Sequence, residues 1–412
     1  MNLFPKVALF KTILIIKVII LASFVVISTG YPLSTVPGNM YYYALFIPTL
    51  VFLLYMIQRP FEFMPLNAHN SSYILLFFLA FSSLITNINI EFFSTNIKFL
   101  LVITFAFFFT KLISFSSFIK YYIITMKFIV TVSLIFYALF SYFNFPINLP
   151  VFKNINEVEY YNGIIFFIIK GFNGSTILME NARNVGAFWE PGVFSTFIIF
   201  ALIFEIAIKE RISKFNILIF SLGLISTFST SGYLMFVLLL FLFLQKKLKG
   251  IKAGIFFTIS IGLFTVAFLN ILNIVKYLYN FMPVLFGKFL QESASVSERL
   301  EAPLSNWHIF LQSPLFGSGL GKVDYLFTSM TNASQTSTST YYLAAFGIFG
   351  ISYIYFFVHG VLKYNPISIY ARMIILLIIL LQINKESHFL FSATYIIMFY
   401  FLKISSLKSS NK

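Results

Sequence analysis

The sequence predicts an all-α polytopic membrane protein with about twelve transmembrane helices and two long outer loops. Three observations predict it. Of 412 residues, 59% are hydrophobic and only 10% are charged, where soluble domains carry roughly 25% charged residues. Apolar runs long enough to cross a hydrocarbon core recur from one end of the chain to the other, and the mean hydropathy is +0.91. The 28 lysines and arginines are distributed unevenly between the segments joining those runs. An ordinary water-soluble enzyme is excluded, and the whole of 1–412 reads as a single membrane domain.

The candidate spans fall at roughly 7–28, 40–58, 71–87, 98–115, 120–144, 190–209, 214–230, 232–246, 251–273, 338–362, 367–384 and 388–404. Those starting at 71, 214, 232, 367 and 388 are short for a crossing. The first has features of a secretory signal, with Lys6 ahead of an apolar run and small residues at Ser28-Thr29-Gly30. Its length and the spans that follow favour an uncleaved helix. With the N-terminus in the cytoplasm, fifteen of the 28 cationic residues lie on inner segments, and the short outer connections hold only Lys98 and Lys385. That bias is the positive-inside pattern. It makes the chain a multi-pass membrane protein with both termini cytoplasmic.

Composition removes several kinds of chemistry. Without cysteine there is no disulfide framework, thiolate metal site or cysteine nucleophile. Asp324 is the only aspartate, so a DxD metal-nucleotide motif cannot occur. His69, His308, His359 and His388 have no zinc-like spacing. Neither a metal nor another cofactor is expected. The net charge of +15 reflects lysines on one side of a bilayer, so nucleic acid is not an expected partner. Ionisable groups at mid-depth are sparse and no internal repeat is visible, which argues against a proton-coupled or inverted-repeat transporter.

Two connections are long, 145–189 and 274–337, and four spans separate them, so both face the outer compartment. They and the residue that follows the first, Glu190, hold eight of the thirteen acids and both tryptophans, Trp189 and Trp307. Connections of that length are functional or disordered, and the mixed composition favours function. The first ends in Arg183-Asn-Val-Gly186-Ala-Phe-Trp189-Glu190-Pro191. Glu190 followed by Pro191 marks a helix start. Glu190 could serve only the helix amides and dipole. Arg183, one of five arginines, lies on the outer side against the charge bias, and its fork of donors suits a phosphate or carboxylate. An ion pair with Glu180 or Glu190 is the plainer account.

The second connection holds Glu298-Arg299-Leu-Glu301, Trp307-His308 and Ser313-Pro314-Leu-Phe-Gly317-Ser-Gly319-Leu-Gly321-Lys322. A Walker motif fails because Phe316 and Val323 stand where glycine and Ser/Thr belong, and Lys322 replaces the third glycine of a dinucleotide fingerprint. A tight turn is the simplest reading of the glycines.

Taken together, Arg183-x-x-Gly186-x-x-x-Glu190-Pro191, Phe228-Ser-Thr-Ser231-Gly232, Arg299 with Trp307, Ser313-Pro314-x-x-Gly317-x-Gly319 and Tyr341-Tyr342 leading to Gly347-x-x-Gly350 resemble the O-antigen polymerase type of protein, which is related to the O-antigen ligases. The resemblance covers the span count, both outer loops and residues from about 180 to 350. It implies a metal-independent glycosyltransferase of the C-type architecture. Such an enzyme moves a growing glycan from polyprenyl diphosphate to a sugar hydroxyl on another lipid-linked repeat unit. A ligase and a lipid-linked oligosaccharide flippase are the alternatives. Ligases are similar to a pattern in which histidine precedes the residue matched by Ser337. Thr336 stands there instead, which favours the polymerase. Under this reading Arg183 and Arg299, with Lys322, hold the diphosphate, and Glu190 orients or deprotonates the acceptor. Trp189, Trp307, Tyr160 and Tyr161 stack on sugars. The partners are lipid-linked oligosaccharides, the bilayer and, as a candidate, a chain-length regulator.

Overall fold

The computed structural model describes residues 67–86, 90–141, 143, 149–153, 159–163, 166–169, 183–247, 277, 294–331 and 335–407. These residues are mostly helical. Helices α1 (Ala68–Thr86), α2 (Ile90–Leu112) and α3 (Phe115–Ser141) precede a small sheet of β1 (Val151–Lys153), β2 (Glu159–Asn162) and β3 (Phe167–Ile169). Helix α4 (Pro191–Ile203) runs into a π turn at Phe204–Ile208, followed by α5 (Lys214–Ser226) and α6 (Thr230–Lys247). Then come α7 (Ala294–Gln312), α8 (Lys322–Met330) and α9 (Thr338–Phe346), a 3-10 turn at Gly347–Gly350, α10 (Ile351–Leu362), α11 (Ile369–Ile383) and α12 (Ser392–Leu407).

Nine of the twelve expected spans fall on described helices, and those at 7–28, 40–58 and 251–273 lie outside the described residues. Among the described residues five helical stretches are long and apolar enough to cross a membrane: Ala68–Ile85, Phe92–Leu112, Phe115–Phe140, Pro191–Ile208 and Thr338–Leu362. The apolar helices at Lys214–Ser226, Thr230–Leu244, Ile369–Ile383 and Ser392–Ser405 are shorter. Exposed apolar side chains follow helical spacing, as in Phe215, Leu218, Leu222 and Ile225 along one face of α5. A face of that kind is stable against lipid tails.

Helix α4 is apolar on every side, and a helix of that kind belongs at the centre of a bundle. Its stretch is 94% buried, whereas the other four are half buried or less. It packs against α3, α5 and α6, while α1, α2, α10 and α12 pack together and α11 joins α6 and α10. Aromatic contacts knit these groups: the Phe118 and Tyr400 rings stack at 4.9 Å, and Phe115 meets both Phe204 and Tyr364. The α2–α3, α4–α5 and α10–α11 turns therefore share one end of the bundle. At that end Glu205, fully buried, accepts from Lys209, the Ser213 amide and Asn216, which closes the α4–α5 turn.

Two departures from the expected architecture are visible. The first long connection carries a three-stranded antiparallel sheet, with Tyr160 paired to Phe152 and Ile169, so the chain is not helical throughout. The second carries helices α7 and α8 rather than irregular loop alone.

The glycines of the second connection interlock with the break after α9. Ser318 and Gly319 amides donate to the carbonyls of Ala344 and Ala345, and the Ile348 amide donates to Pro314. Gly317 and Gly347 both have positive φ, and a Cβ on either would fall 2.3 to 2.5 Å from the opposite backbone. Backbones approach so closely only where no side chain intervenes. With the Gly317 amide bound to Ser313 and the Leu320 amide to Ser83, the loop is a tight turn rather than an anion cradle. Gly317→Ala should lower stability by more than about 2 kcal/mol, read as a fall in Tm of the detergent-purified protein. Ala at exposed Ser329, tested alongside, should leave Tm unchanged.

Candidate functional site

Polar side chains are scarce in this chain, so their concentration at the opposite end of the bundle is informative. There the first turn of α4 meets the α5–α6 turn, the start of α9 and the five-residue run Asn384-Lys385-Glu386-Ser387-His388 between α11 and α12. Lys385 is 5% exposed. Its Nζ donates to the Gly192 carbonyl at 3.0 Å, Ser195 Oγ at 2.9 Å and Ser229 Oγ at 3.3 Å. An ammonium in an apolar bundle needs such oxygens. Thr196 donates to Gln382 at 2.6 Å and fixes the neighbouring end of α11.

Two carboxylates converge on Gly192. A Cβ there would lie 2.6 Å from Glu386 Oε1 and 3.3 Å from Glu190 Oε1, so glycine leaves the space that both acids occupy. Glu190 has extended backbone before Pro191, as expected for a helix start, yet its side chain makes no capping bond. The purely structural account of Glu190 as an amide cap therefore loses its main support. Glu386 is 8% exposed, and its carbonyl accepts from Thr338 Oγ1 at 3.3 Å. That same threonine oxygen accepts from the His388 amide at 2.7 Å. Asn384 Oδ1 accepts from Ser337 Oγ and the Ser339 amide, closing the start of α9. His388 is fully buried, with Nδ1 bonded to Thr394 at 2.8 Å. Burial, and then the Lys385 ammonium, lower its pKa from 6.5 to about 3, so the ring is neutral near pH 7.

The sequence-predicted residues are divided between this cluster and other places. Trp189 packs on Phe391, with ring centroids 5.7 Å apart, and its carbonyl accepts from the Tyr160 hydroxyl at 2.7 Å. Burial, reinforced by the Glu190 charge, pushes the Tyr160 phenol up. Tyr160 is only 2% exposed and stacks on Phe152, so it anchors the sheet and has no open face for a sugar. Tyr161 is half-buried on β2, opposite Val151 and Ile168. Arg183 Nε and Nη2 donate to the carbonyls of Thr227 and Phe228 at 3.1 and 3.0 Å. Its fork thus grips the α5–α6 turn, where Phe228 adopts φ of 48°, a left-handed conformation costly for a residue other than glycine. Arg299 lies on α7, and its side chain is outside the described residues. Trp307, also on α7, is 47% exposed with its ring near Phe310.

Lys322 is exposed at the start of α8, away from the cluster in sequence. It lines a cavity of about 530 Å³ with Phe78, Leu79, Ser82, Ser83, Phe316, Phe346 and Phe349. Two residues on, the Asp324 carboxylate accepts from the Tyr341 hydroxyl at 3.2 Å. Burial raises the Asp324 pKa to about 6.

Lys385, Glu386 and His388 were not singled out by loop length, because so short a connection looks like a plain turn. The available signal was compositional. Five consecutive polar residues interrupt two apolar runs in a chain with 10% charged residues. No family model, curated protein or solved structure matches the chain, so the case for this site rests on its own geometry.

Arg183→Lys should cost about 1–2 kcal/mol, since an ammonium cannot fork onto both carbonyls. Phe228→Gly in the same protein should recover part of that loss; equal Tm losses with and without it would detach Arg183 from the turn. The His388 shift sets a pH dependence as well. A pKa lower folded than unfolded gives stability that is complete above about 6.5 and is lost as pH falls toward about 3. His388→Gln should flatten a Tm-versus-pH profile across that window.

Proposed function

We propose that the chain is a polysaccharide repeat-unit polymerase of the O-antigen polymerase type, acting at the outer face of a bacterial inner membrane. The observation that carries the reading is the cluster of buried Lys385 and Glu386 with half-buried Glu190 at one end of an apolar bundle. Charged groups drawn in among membrane helices mark functional sites by default. The Lys322-lined cavity adds a second element. Ala345 and Phe346 at the end of α9 line it, and Thr338 at the start of α9 touches the cluster. A nine-residue helix is about 13 Å long. A lipid-linked sugar needs both environments, apolar walls for the prenyl tail and fixed charge for the diphosphate and hydroxyls.

The cations at the opposite end support the orientation. Lys111, Lys209, Arg211, Lys214, Lys363 and Lys403 all lie at or beside the α2–α3, α4–α5 and α10–α11 turns or the end of α12. Under the positive-inside pattern that end is cytoplasmic, which puts the cluster outside. Twelve spans with both termini inside belong to the same proposal.

In this reading an acceptor hydroxyl attacks the anomeric carbon of the donor. The bond to diphosphate breaks, and the diphosphate leaves with the electron pair. Arg183, Arg299 and Lys322 supply charge for the departing group, and Glu190 orients the hydroxyl or accepts its proton. Arg183 is already anchored on the α5–α6 turn, so its charge needs no reorganisation as the bond breaks. Trp189, Trp307 and Tyr161 remain candidates for sugar contact, and Tyr160 acts as their support. A chain-length regulator would bind elsewhere on the assembly.

Proteoliposomes holding the purified chain should elongate a polyprenyl-diphosphate-linked oligosaccharide into a ladder on a gel. The ladder should persist in EDTA. Glu190→Gln and Arg299→Ala should each lower elongation at least 100-fold, about 2.7 kcal/mol or more in barrier. A wild-type protein that forms no ladder from that donor would sink the polymerase reading. In a deletion strain a polymerase defect leaves single repeat units on the acceptor. A ligase defect instead leaves polymer on the lipid carrier, and a flippase defect leaves no outer repeat.

A further inference from the structure

We infer that Glu190 and Glu386 form one proton-accepting unit for the acceptor hydroxyl, with Lys385 as the positioning residue that holds it together. This rests on the polymerase reading and adds a carboxylate that the sequence motifs do not mark. The two acids come from positions 196 residues apart, yet Glu190 Oε1 and Glu386 Oε1 face the same point above Gly192, at 3.3 and 2.6 Å from where its Cβ would be. Lys385 follows from the neighbouring position in the chain, with Nζ on the carbonyl of the same Gly192, so an ammonium and two carboxylates meet at one backbone position.

The two acids differ in access. Glu386 is 8% exposed, whereas Glu190 is half-buried, so the pair runs from the surface inward. The backbone that carries the inner member is held in place. Thr338 binds the Glu386 carbonyl and the His388 amide, and Asn384 ties the same turn to Ser337 and Ser339. A base carried on a fixed turn needs little rearrangement of the chain on binding substrate. Among the described residues, charged and titratable neighbours include Lys385, the neutral His388 and Tyr160, whose phenol already responds to the Glu190 charge. In the step itself, the acceptor oxygen bonds to the anomeric carbon and its proton passes to the carboxylate pair. The diphosphate departs with the electrons of the broken bond.

The test uses the full chain in proteoliposomes with a polyprenyl-diphosphate-linked repeat unit as donor and acceptor. Glu386→Gln should lower kcat at least 100-fold while KM stays within about twofold, the pattern of a group acting in the transition state. Glu386→Asp should lower kcat about tenfold, and it decides the matter if the Gln variant fails to fold. Glu190→Gln/Glu386→Gln should be no slower than the slower single variant, as expected of residues acting as a unit. Wild-type kcat in Glu386→Asp, or in a folded Glu386→Gln, overturns the pair while leaving the polymerase intact. Fully multiplicative losses in the double variant overturn it too. No elongation by the wild type overturns the polymerase reading, and the pair falls with it.

Discussion

A cation buried at the end of an apolar bundle constrains everything around it. Lys385 donates there to three oxygens, and those oxygens come from α4 and from the α5–α6 turn. The ammonium therefore joins three segments distant in sequence. Leaving a buried charge without partners costs several kcal/mol, so the first turn of α4 cannot drift away from the α11–α12 turn without a large penalty. The absence of a side chain at Gly192 then acquires a clear purpose. It keeps open the small volume in which the carboxylates of Glu190 and Glu386 meet the field of that ammonium.

The remaining polar groups at this end extend the same constraint. Asn384 closes the start of α9, Thr338 ties that start to Glu386 and His388, and Arg183 closes the turn that presents Ser229. The Arg183 and Asn384 bonds satisfy backbone groups that a helix leaves unpaired at the end of α5 and the start of α9. Arg183 is thereby drawn into structure as well as charge. Its fork holds a left-handed phenylalanine in place, so a loss of activity on removing it would not by itself separate contact with a phosphate from collapse of the turn. The glycine loop resolves in the opposite direction. Its amides go to backbone and to Ser83, and what it contributes is the close packing that sets α9 beside the cavity.

The parts of this arrangement that were legible from sequence are those governed by local rules. Apolar runs located nine spans on described helices because burial against lipid needs only composition and length. Glu190-Pro191 marked the start of α4 because proline is compatible with that position and few others. Arg183 stood out through its charge and side, although that did not reveal its grip on the carbonyls of a turn 44 residues away. The sheet in the first long connection was missed because three- and four-residue strands carry too short a period to register. Tyr160 looked like a sugar platform because sequence reports an aromatic in a loop but not that its ring is covered by Phe152.

The Lys385–His388 run shows why tertiary context was needed. Seen alone, it is a polar turn between two helices, and a polar turn at a membrane surface needs no explanation. The fold changes its meaning by pulling it inward, so that groups suited to water are held among apolar helices. Polar residues facing water report only solubility, whereas the same residues removed from water require a compensating partner for each donor and acceptor. His388 is instructive in this respect, since its ring is kept neutral by burial and by the ammonium three residues before it. It contributes no second positive charge beside Lys385, whose ammonium lies on the carbonyl of the Gly192 at which the two acids meet. The chemistry open to this end of the bundle is thus set less by any motif than by how few charges the apolar interior admits and by which of them it places together.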